Sequence, residues 1–229
     1  MAVRRDEIEA ALQAQGLLLR GGFTLDPARD QDLLTQFPEM QQLLLVGNAG
    51  SAIWRSLSGF IADHPMAAHP LDQWTEQVLG DIASAIGAVS LFPFGSAPWW
   101  PFQRWAQRAD TVFPSPVAVL IHPTYGLWHA YRGALLLREP VELPILAPQA
   151  SPCESCAAKP CLTACPVGAF STTGYDVEGC ATHVHGATGA DCRLGGCLAR
   201  RVCPVGGDWQ YEPEHMRFHM QAFLRAHPR

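Results

Sequence analysis

The eight cysteines of this 229-residue chain all lie between Cys153 and Cys203, and their spacing suits a metal-binding site. They form two runs of four. The first run has gaps of two, four and three residues and consists of Cys153, Cys156, Cys161 and Cys165. The second run has gaps of eleven, four and five residues and consists of Cys180, Cys192, Cys197 and Cys203. Thiolates repeated at short intervals can surround a metal centre, because one loop presents several of them to the same point.

Each run ends in a Cys–Pro pair, Cys165–Pro166 in the first and Cys203–Pro204 in the second. This ending is typical of bacterial-type iron–sulfur loops, in which the last cysteine of one run binds the cluster held mainly by the other. The pattern therefore predicts two 4Fe–4S clusters that move single electrons. The predicted ligands of the first cluster are Cys153, Cys156, Cys161 and Cys203. Those of the second are Cys165, Cys180, Cys192 and Cys197.

The spacing departs from the usual C-x2-C-x2-C-x3-C form, because four residues separate Cys156 from Cys161 and the second run is looser still. Two zinc sites of four thiolates each would use the same side chains. A single cluster is a further alternative, and so are structural disulfides, although a reducing compartment disfavours them. His183 and His185 are not needed as ligands, since the cysteines already complete both sites.

Composition limits the remaining function classes. The formal net charge is −5, whereas nucleic-acid binding normally requires a basic surface. The N-terminal residues Met1–Glu7 lack the apolar segment of a signal peptide. The longest purely apolar runs, Leu43–Val46 and Val117–Ile121, are far shorter than the ~18 residues of a membrane-spanning helix. We expect a cytoplasmic protein that binds neither nucleic acid nor membrane.

Hydrophobic periodicity predicts the elements that position these residues. Helices are predicted over Asp6–Gln15, Leu71–Ile86 and Glu212–Leu224, with Ser51 capping another helix that contains Trp54. Strands are predicted over Gln42–Val46, Val117–Ile121 and Leu127–Leu137, the last two forming a hairpin around the turn Pro123–Gly126. The proline-rich stretch Glu139–Pro148 reads as a connector. The predicted fold class is α+β, with one domain over residues 1–147 and a second over residues 148–229.

One segment resembles a known family. Residues Ile121–Leu137 read IHPTYGLWHAYRGALLL. This resembles I-H-P-x-(F/Y)-G-x-W-x-x-x-R-G-x-x-L-L, a stretch of the cobalamin-processing CblC (MMACHC) family. The similarity extends more weakly through Gln42–Val46, the helices around Trp54 and Trp74, and Val141–Pro144. The order of such a domain followed by two clusters is similar to epoxyqueuosine reductase and to the corrinoid-dependent reductive dehalogenases.

The resemblance implies a nitroreductase-like α/β domain that holds cobalamin and a small ferredoxin-like module that supplies it with electrons. A redox partner protein would in turn reduce the module. Arg132 occupies the position that contacts glutathione in the CblC family, and His122 and Trp128 are the other candidate cofactor-binding residues. The alternatives are that Arg132 pairs with Glu139 or Glu142 at the surface and that His122 is a hydrogen-bonded structural histidine.

The segment Phe92–Phe102 has three prolines and five aromatic residues, and a large flat cofactor could lie against it. Packing against the protein core is the alternative. Three further functions are compatible with the sequence: a ferredoxin-type electron carrier without cobalamin, a flavin-dependent reductase of nitroreductase-like fold, and a zinc-stabilised interaction module. The chain contains no H-E-x-x-H, Walker or G-x-G-x-x-G motif that would indicate hydrolytic or nucleotide chemistry.

Overall fold

The computed structural model of the chain describes residues 3–171 and 174–228. Internal contacts divide these residues into two compact units. Unit 1 contains the described residues up to Thr111 together with Ala130–Pro148. Unit 2 contains Val112–His129 together with the described residues from Gln149 onward. These units differ from the predicted ranges 1–147 and 148–229 in one segment, because residues 112–129 pack with the half that carries the cysteines.

Helices occur in both units. The α-helices are α1 (Arg5–Gln13), α2 (Gln31–Gln36), α3 (Trp54–Asp63), α4 (Pro70–Ile86), α5 (Phe102–Ala109), α6 (Pro152–Ser155), α7 (Pro160–Thr163), α8 (Val177–His185), α9 (Ala190–Gly195), α10 (Leu198–Arg201) and α11 (Pro213–Ala226). Short 3-10 helices cover Ala187–Gly189 and Gly207–Trp209. Proline begins α4, α6, α7 and α11, since its fixed φ suits the first turn and its missing N–H is not needed there.

The strands form one larger sheet and two small hairpins. They are β1 (Leu18–Thr24), β2 (Gln42–Ala49), β3 (Val89–Leu91), β4 (Phe113–Pro114), β5 (Leu120–Ile121), β6 (His129–Leu137), β7 (Phe170–Ser171) and β8 (Gly174–Tyr175). The larger sheet has the order β1-β2-β6-β3, while β4 pairs with β5 and β7 with β8. Strand β1 is antiparallel to β2, with Leu18 opposite Gly47, and β3 is antiparallel to β6.

The core of unit 1 is built on the central strand β2, which is buried along its whole length. Ile8 and Leu12 of α1 and Trp74 and Leu79 of α4 are also buried in this unit. The Gln42 side chain is buried as well, and its amide forms two hydrogen bonds of 2.9 Å with the backbone of Val141. Burial of this polar group is therefore compensated, and the connector after β6 is attached to the sheet.

The core of unit 2 is small and joins the segment 112–129 to the cysteines. Its buried members are Val117, Ile121, Leu127 and Ala199. Five cysteines pack against this cluster: Cys153, Cys161, Cys165, Cys197 and Cys203. Three of the four buried members of this core therefore come from a segment that carries no cysteine.

Most predicted elements are confirmed, and three details are wrong. The helices around residues 6–15, 71–86 and 212–224 and the buried strand at residues 42–46 are present. The predicted strand Val117–Ile121 is reduced to β5, because Ala118 has a φ of 62° inside a turn in which Ser115 and Val119 are hydrogen-bonded. The predicted hairpin partner β6 pairs with β2 and β3 instead of β5. Ile53, not Ser51, is the N-cap of α3.

The mixed α+β character predicted from the sequence is confirmed. The nitroreductase-like and ferredoxin-like assignments remain predictions. Among the described residues, no helix has the length and apolar character that a membrane crossing requires.

Candidate metal centre

Short helices and their caps position the eight cysteines. Cys153 lies in α6, Cys161 in α7, Cys180 in α8 and Cys192 in α9. Cys156 ends α6, Cys197 caps α10, and Cys165 and Cys203 follow α7 and α10. The Ser151 hydroxyl accepts a hydrogen bond of 3.3 Å from the Cys153 N–H, which fixes the start of α6.

The sulfurs form two groups of four, which we call group 1 and group 2. In group 1, burial raises the pKa of the Cys153 thiol, and three neighbouring thiolates raise it further: Cys203, Cys161 and Cys156. In group 2, burial raises the pKa of Cys192, and among its neighbours are Cys197 and Cys165. Cys180 likewise lies near Cys165 and Cys192. The two groups are the two sets predicted from the sequence, in which Cys203 joins the first three cysteines of the first run and Cys165 joins the first three of the second. Their role as ligands remains a prediction.

Group 2 surrounds a defined cavity. The cavity has a volume of about 120 Å³, which is several times the space of a single water molecule or ion. All four sulfur-bearing residues of the group line it, together with Tyr175, His183, Met220 and Phe223. The wall is otherwise mainly apolar, so a charged occupant would be held chiefly by the sulfurs.

Hydrogen-bond donors point at the sulfurs of both groups. The Ala169 N–H donates to Cys165 Sγ at 3.3 Å. Backbone N–H groups of Arg200 and Ala199 donate to Cys197, and that of Leu198 donates to Cys192. In group 1, the Leu162 N–H donates to Cys161. Such donors stabilise the negative charge that a metal-bound thiolate carries.

Two residues near the sulfurs were not predicted from the sequence. Lys159, the only lysine of the chain, has a φ of 38° and donates from Nζ to the Cys153 carbonyl at 3.2 Å. Tyr175 donates from its hydroxyl to Cys180, which lowers the pKa of that thiol against the larger effect of burial. Lys159 lies inside the first cysteine run, so the sequence alone could have indicated that it is close to the sulfurs. Tyr175 could not be identified in this way, because only the fold brings it near Cys180.

Among residues 3–171 and 174–228, no three His, Cys, Asp or Glu side chains converge closely enough to hold one metal ion. A 4Fe–4S core differs from a single ion in its size, because four irons and four sulfides lie between the ligands. The chemistry of the donor set, four thiolates with N–H groups directed at them, fits such a core.

The candidate residues His122 and Trp128 have packing contacts within unit 2. His122 Nδ1 accepts hydrogen bonds from the N–H groups of Thr124 and Tyr125, at 3.0 and 3.2 Å, so it closes the turn that it begins. The Trp128 side chain is 1% exposed, and the Arg200 guanidinium lies 4.3 Å from its ring centre. Both residues therefore contact neighbouring parts of unit 2. Their predicted contact with a cofactor remains a prediction.

The third candidate, Arg132, lies on β6 in unit 1. Its Nε donates to Oδ1 of the fully buried Asn48 at 2.9 Å. Burial raises the pKa of the nearby Asp72, and the charges of His69 and Arg132 oppose that rise. Arg132 is thus fixed between the end of β2 and the first turn of α4, with an amide and a carboxylate as neighbours.

The segment Phe92–Phe102 of unit 1, which we call the aromatic loop, exposes one large ring to solvent. The Trp99 side chain is 78% exposed, whereas Trp100 stacks on Trp105 with ring centres 5.8 Å apart. Trp100 and Trp105 also line a cavity of about 330 Å³ together with Arg104 and Arg108. Packing against unit 1 therefore accounts for part of the loop but not for Trp99.

No protein-family model matches this sequence, and neither does any curated protein. Solved structures are nevertheless similar in fold. Epoxyqueuosine reductase from Bacillus subtilis aligns with a TM-score of 0.52 and 16% identity, over 93% of this chain and 68% of that one. An epoxyqueuosine reductase bound to a tRNA stem loop gives the same values. The B12-trafficking protein CblC from C. elegans aligns with a TM-score of 0.54 and 13% identity, over 96% and 95% of the two chains.

At these identities the likeness shows a shared fold. The resemblance to CblC and to epoxyqueuosine reductase predicted from the sequence is confirmed at that level. The tRNA stem loop belongs to the neighbour's structure, and our expectation that this chain binds no nucleic acid remains a prediction.

Proposed function

We propose that this protein is an iron–sulfur redox protein whose unit 2 carries two 4Fe–4S clusters. Group 1 holds one cluster and group 2 the other. The observation that carries the proposal is the exchange of terminal cysteines between the runs, which places Cys203 beside Cys153 and Cys165 beside Cys180. This exchange is how two-cluster bacterial-type ferredoxins distribute their ligands.

The surroundings of the sulfurs support electron transfer at these sites. Bound clusters would supply one-electron redox chemistry, while the chain's own residues set its conditions. Backbone N–H donors stabilise the thiolates, and the core of unit 2 restricts water on one side. A redox partner protein would supply the electrons.

We further propose that unit 1 receives these electrons through a bound corrinoid, which makes the protein an oxidoreductase. The support is the fold shared with a B12-trafficking protein over 95% of that chain and with a reductase. A corrinoid would supply cobalt redox chemistry. The exposed indole of Trp99 is suited to lie against a flat macrocycle, and Arg132 to bind a polar substituent.

The cluster proposal is tested by measuring iron and acid-labile sulfide per chain after anaerobic purification. We expect about eight of each, with a broad absorbance band that dithionite bleaches. About four of each would mean that only one group is filled. Little iron with about two zinc ions would contradict the redox function and support an interaction module stabilised by zinc.

The corrinoid proposal is tested by titrating the purified protein with cobalamin and following tryptophan fluorescence. We expect saturable quenching, and we expect Trp99→Phe to weaken binding about fivefold, the equivalent of ~1 kcal/mol of stacking. Trp54 lies outside the aromatic loop, so Trp54→Phe is the matched control. Absence of quenching would leave an electron carrier without cobalamin, and a yellow protein that releases a fluorescent flavin would support the flavin-dependent alternative.

A further inference from the structure

The cavity of about 330 Å³ in unit 1 combines two kinds of side chain in its lining. It is formed between the start of α2 and helix α5. Indole rings come from Trp100 and Trp105, and guanidinium groups come from Arg29, Arg104 and Arg108. The volume is at the lower end of the range for small-molecule sites, which excludes a corrinoid as its occupant. The cavity is therefore a candidate site of its own, for a smaller ligand.

The ion pairs of the cavity leave one guanidinium available. Arg108 Nη1 donates to both carboxylate oxygens of the buried Asp30 at 2.9 Å, so these two charges neutralise each other. Arg29 Nε lies 3.8 Å from an oxygen of Asp26. Among residues 3–171 and 174–228, the Arg104 guanidinium has no ion pair and donates no hydrogen bond. Arg104 is one helical turn from Arg108, so both lie on the same face of α5.

The aromatic wall is held rigidly by packing. The Trp105 ring is 5% exposed, and Trp100 stacks on it with ring centres 5.8 Å apart and 25° between planes. On the inner side, the ring centre of Phe102 lies 5.0 Å from that of Trp105. Trp100 is only partly buried and lines the cavity. A preorganised indole can bind a flat ring at a low cost in conformational entropy.

We propose that this cavity binds a small aromatic carboxylate. The ring of the ligand lies against Trp100, and its carboxylate pairs with Arg104, whose planar guanidinium can donate two parallel hydrogen bonds. The three arginines of the lining outnumber its two aspartates, Asp30 and Asp32, by one charge, which suits a monoanion. A phosphate monoester carries nearly twice that charge, and the exposed Asp32 carboxylate would repel it. This inference requires neither the clusters nor the corrinoid.

The test is calorimetric titration of the full chain with three aromatic carboxylates: benzoate, 2-naphthoate and indole-3-carboxylate. We expect saturable binding of at least one of them with one site per chain. The matching uncharged carboxamide should bind about tenfold more weakly, because it cannot form the charged pair. Cyclohexanecarboxylate, which keeps the charge without the aromatic ring, should also bind more weakly.

Substitutions locate the site. We expect Arg104→Gln to weaken binding of the carboxylate about tenfold and Trp100→Leu to weaken it about fivefold. Arg55→Gln is the matched control, since it removes an exposed arginine from another helix of unit 1 and should leave the affinity unchanged. Circular dichroism of each variant shows whether the fold is retained, and Arg104, which is exposed, can be changed with little effect on stability.

Several outcomes would overturn the proposal. One is the absence of saturable binding for all three carboxylates, and another is equal affinity for carboxylate and carboxamide. Equal losses in Arg104→Gln and Arg55→Gln would indicate attraction by the overall charge instead of this cavity. Tighter binding of naphthyl phosphate than of 2-naphthoate would assign the cavity to phosphate esters. Arg104→Gln should leave cobalamin quenching unchanged, and a loss there would make the cavity part of the corrinoid site.

Discussion

At the scale of single residues, Cys165 and Cys203 each belong with sulfurs of the other run. Cys203 lies near Cys153 and Cys161, although about fifty residues of chain separate it from Cys153. Cys165 lies near Cys180 and Cys192. Loss of one sulfur is therefore expected to affect a group that is discontinuous in sequence.

Paired substitutions test this arrangement directly. In Cys153→Ser/Cys203→Ser both changes fall in group 1, so we expect about four irons per chain to remain. In Cys153→Ser/Cys165→Ser one change falls in each group although both lie in the first run, so we expect iron close to zero. The two double variants remove the same number of thiols and are controls for each other. Equal iron content in both would contradict the exchanged assignment.

Residue types and spacing predict the same two sets of cysteines that the fold brings together, whereas their role as ligands remains a prediction. The contacts of Lys159 and Tyr175 were not predictable in the same way. A lone lysine or tyrosine is common at surfaces, and its meaning depends on which sulfur the fold brings near. The apolar run at residues 117–121 was misread for a related reason, since hydrophobicity alone does not show that Ala118 adopts a positive φ.

At the scale of elements, the turn before β6 and the chain after α10 are in close backbone contact at two glycines. A Cβ on Gly126, which has a φ of +56°, would lie 1.9 Å from the Val205 carbonyl oxygen. A Cβ on Gly206, with a φ of +76°, would lie 2.3 Å from the carbonyl carbon of Tyr125. Backbone therefore packs against backbone here, and no side chain can move aside to make room.

We expect Gly126→Ala to lower the free energy of unfolding by roughly 2–5 kcal/mol, from the left-handed backbone and the overlap with Val205. Gly207→Ala is the matched control, because a Cβ there meets nothing within 4 Å. Urea unfolding of both iron-loaded variants, followed by circular dichroism, measures the difference. A Gly126→Ala protein as stable as Gly207→Ala would contradict the close packing.

The Arg200 side chain joins helix α10 to the segment 112–129. Arg200 donates from Nε and Nη2 to the Leu127 carbonyl at 2.9 and 2.5 Å. Its guanidinium also lies 4.3 Å from the ring centre of Trp128 and 4.6 Å from that of Tyr211. Lysine cannot replace Arg200 in this position. Only a planar guanidinium can donate two hydrogen bonds and also lie against an indole and a phenol ring.

We expect Arg200→Met to destabilise unit 2 by roughly 2–4 kcal/mol, since it leaves the Leu127 carbonyl without its charged donor and removes the cation–π contacts. Arg200→Lys should give an intermediate loss. The exposed Arg225→Met should stay within about 0.5 kcal/mol of wild type. Thermal unfolding at constant iron content measures the series, and a loss in Arg225→Met equal to that in Arg200→Met would contradict this role.

The pairing of β6 illustrates what local patterns miss at this scale. The sequence places β5 and β6 on either side of a turn, and that turn exists as the bridge between His122 and Gly126. Strand β6 nevertheless pairs with β2 and β3, which are distant in sequence. Its buried residues Ala134, Leu135 and Leu136 are opposite β3, so burial in a larger sheet outweighs the nearest partner.

At the scale of the whole molecule, unit 2 is made of two separate stretches of chain, and only one of them carries cysteines. The other, residues 112–129, contributes Val117, Ile121 and Leu127 to the core against which the cysteines pack. Metal binding and folding are coupled when ligands come from several loops. The stability of the segment 112–129 should therefore depend on metal that it does not bind.

Iron removal tests this coupling. After oxidative chelation, we expect amide hydrogen exchange to become faster at residues 149–171 and 174–228 and also at residues 112–129, while β2 in unit 1 stays protected. Mass spectrometry of exchanged peptides from iron-loaded and iron-free protein provides the comparison. Continued protection of residues 112–129 after iron removal would show that this segment is stable without the clusters.

The discontinuity of unit 2 also limits how such a protein can be rearranged by recombination or engineering. A graft of residues 149–229 onto another carrier would transfer every thiol but leave behind the apolar residues Val117, Ile121 and Leu127. The cysteine loops would then lack the apolar residues against which they pack. Sulfurs that are half-buried here would become exposed to solvent and oxygen. A transplantable version must bring residues 112–129 along, joined by a new link to Gln149.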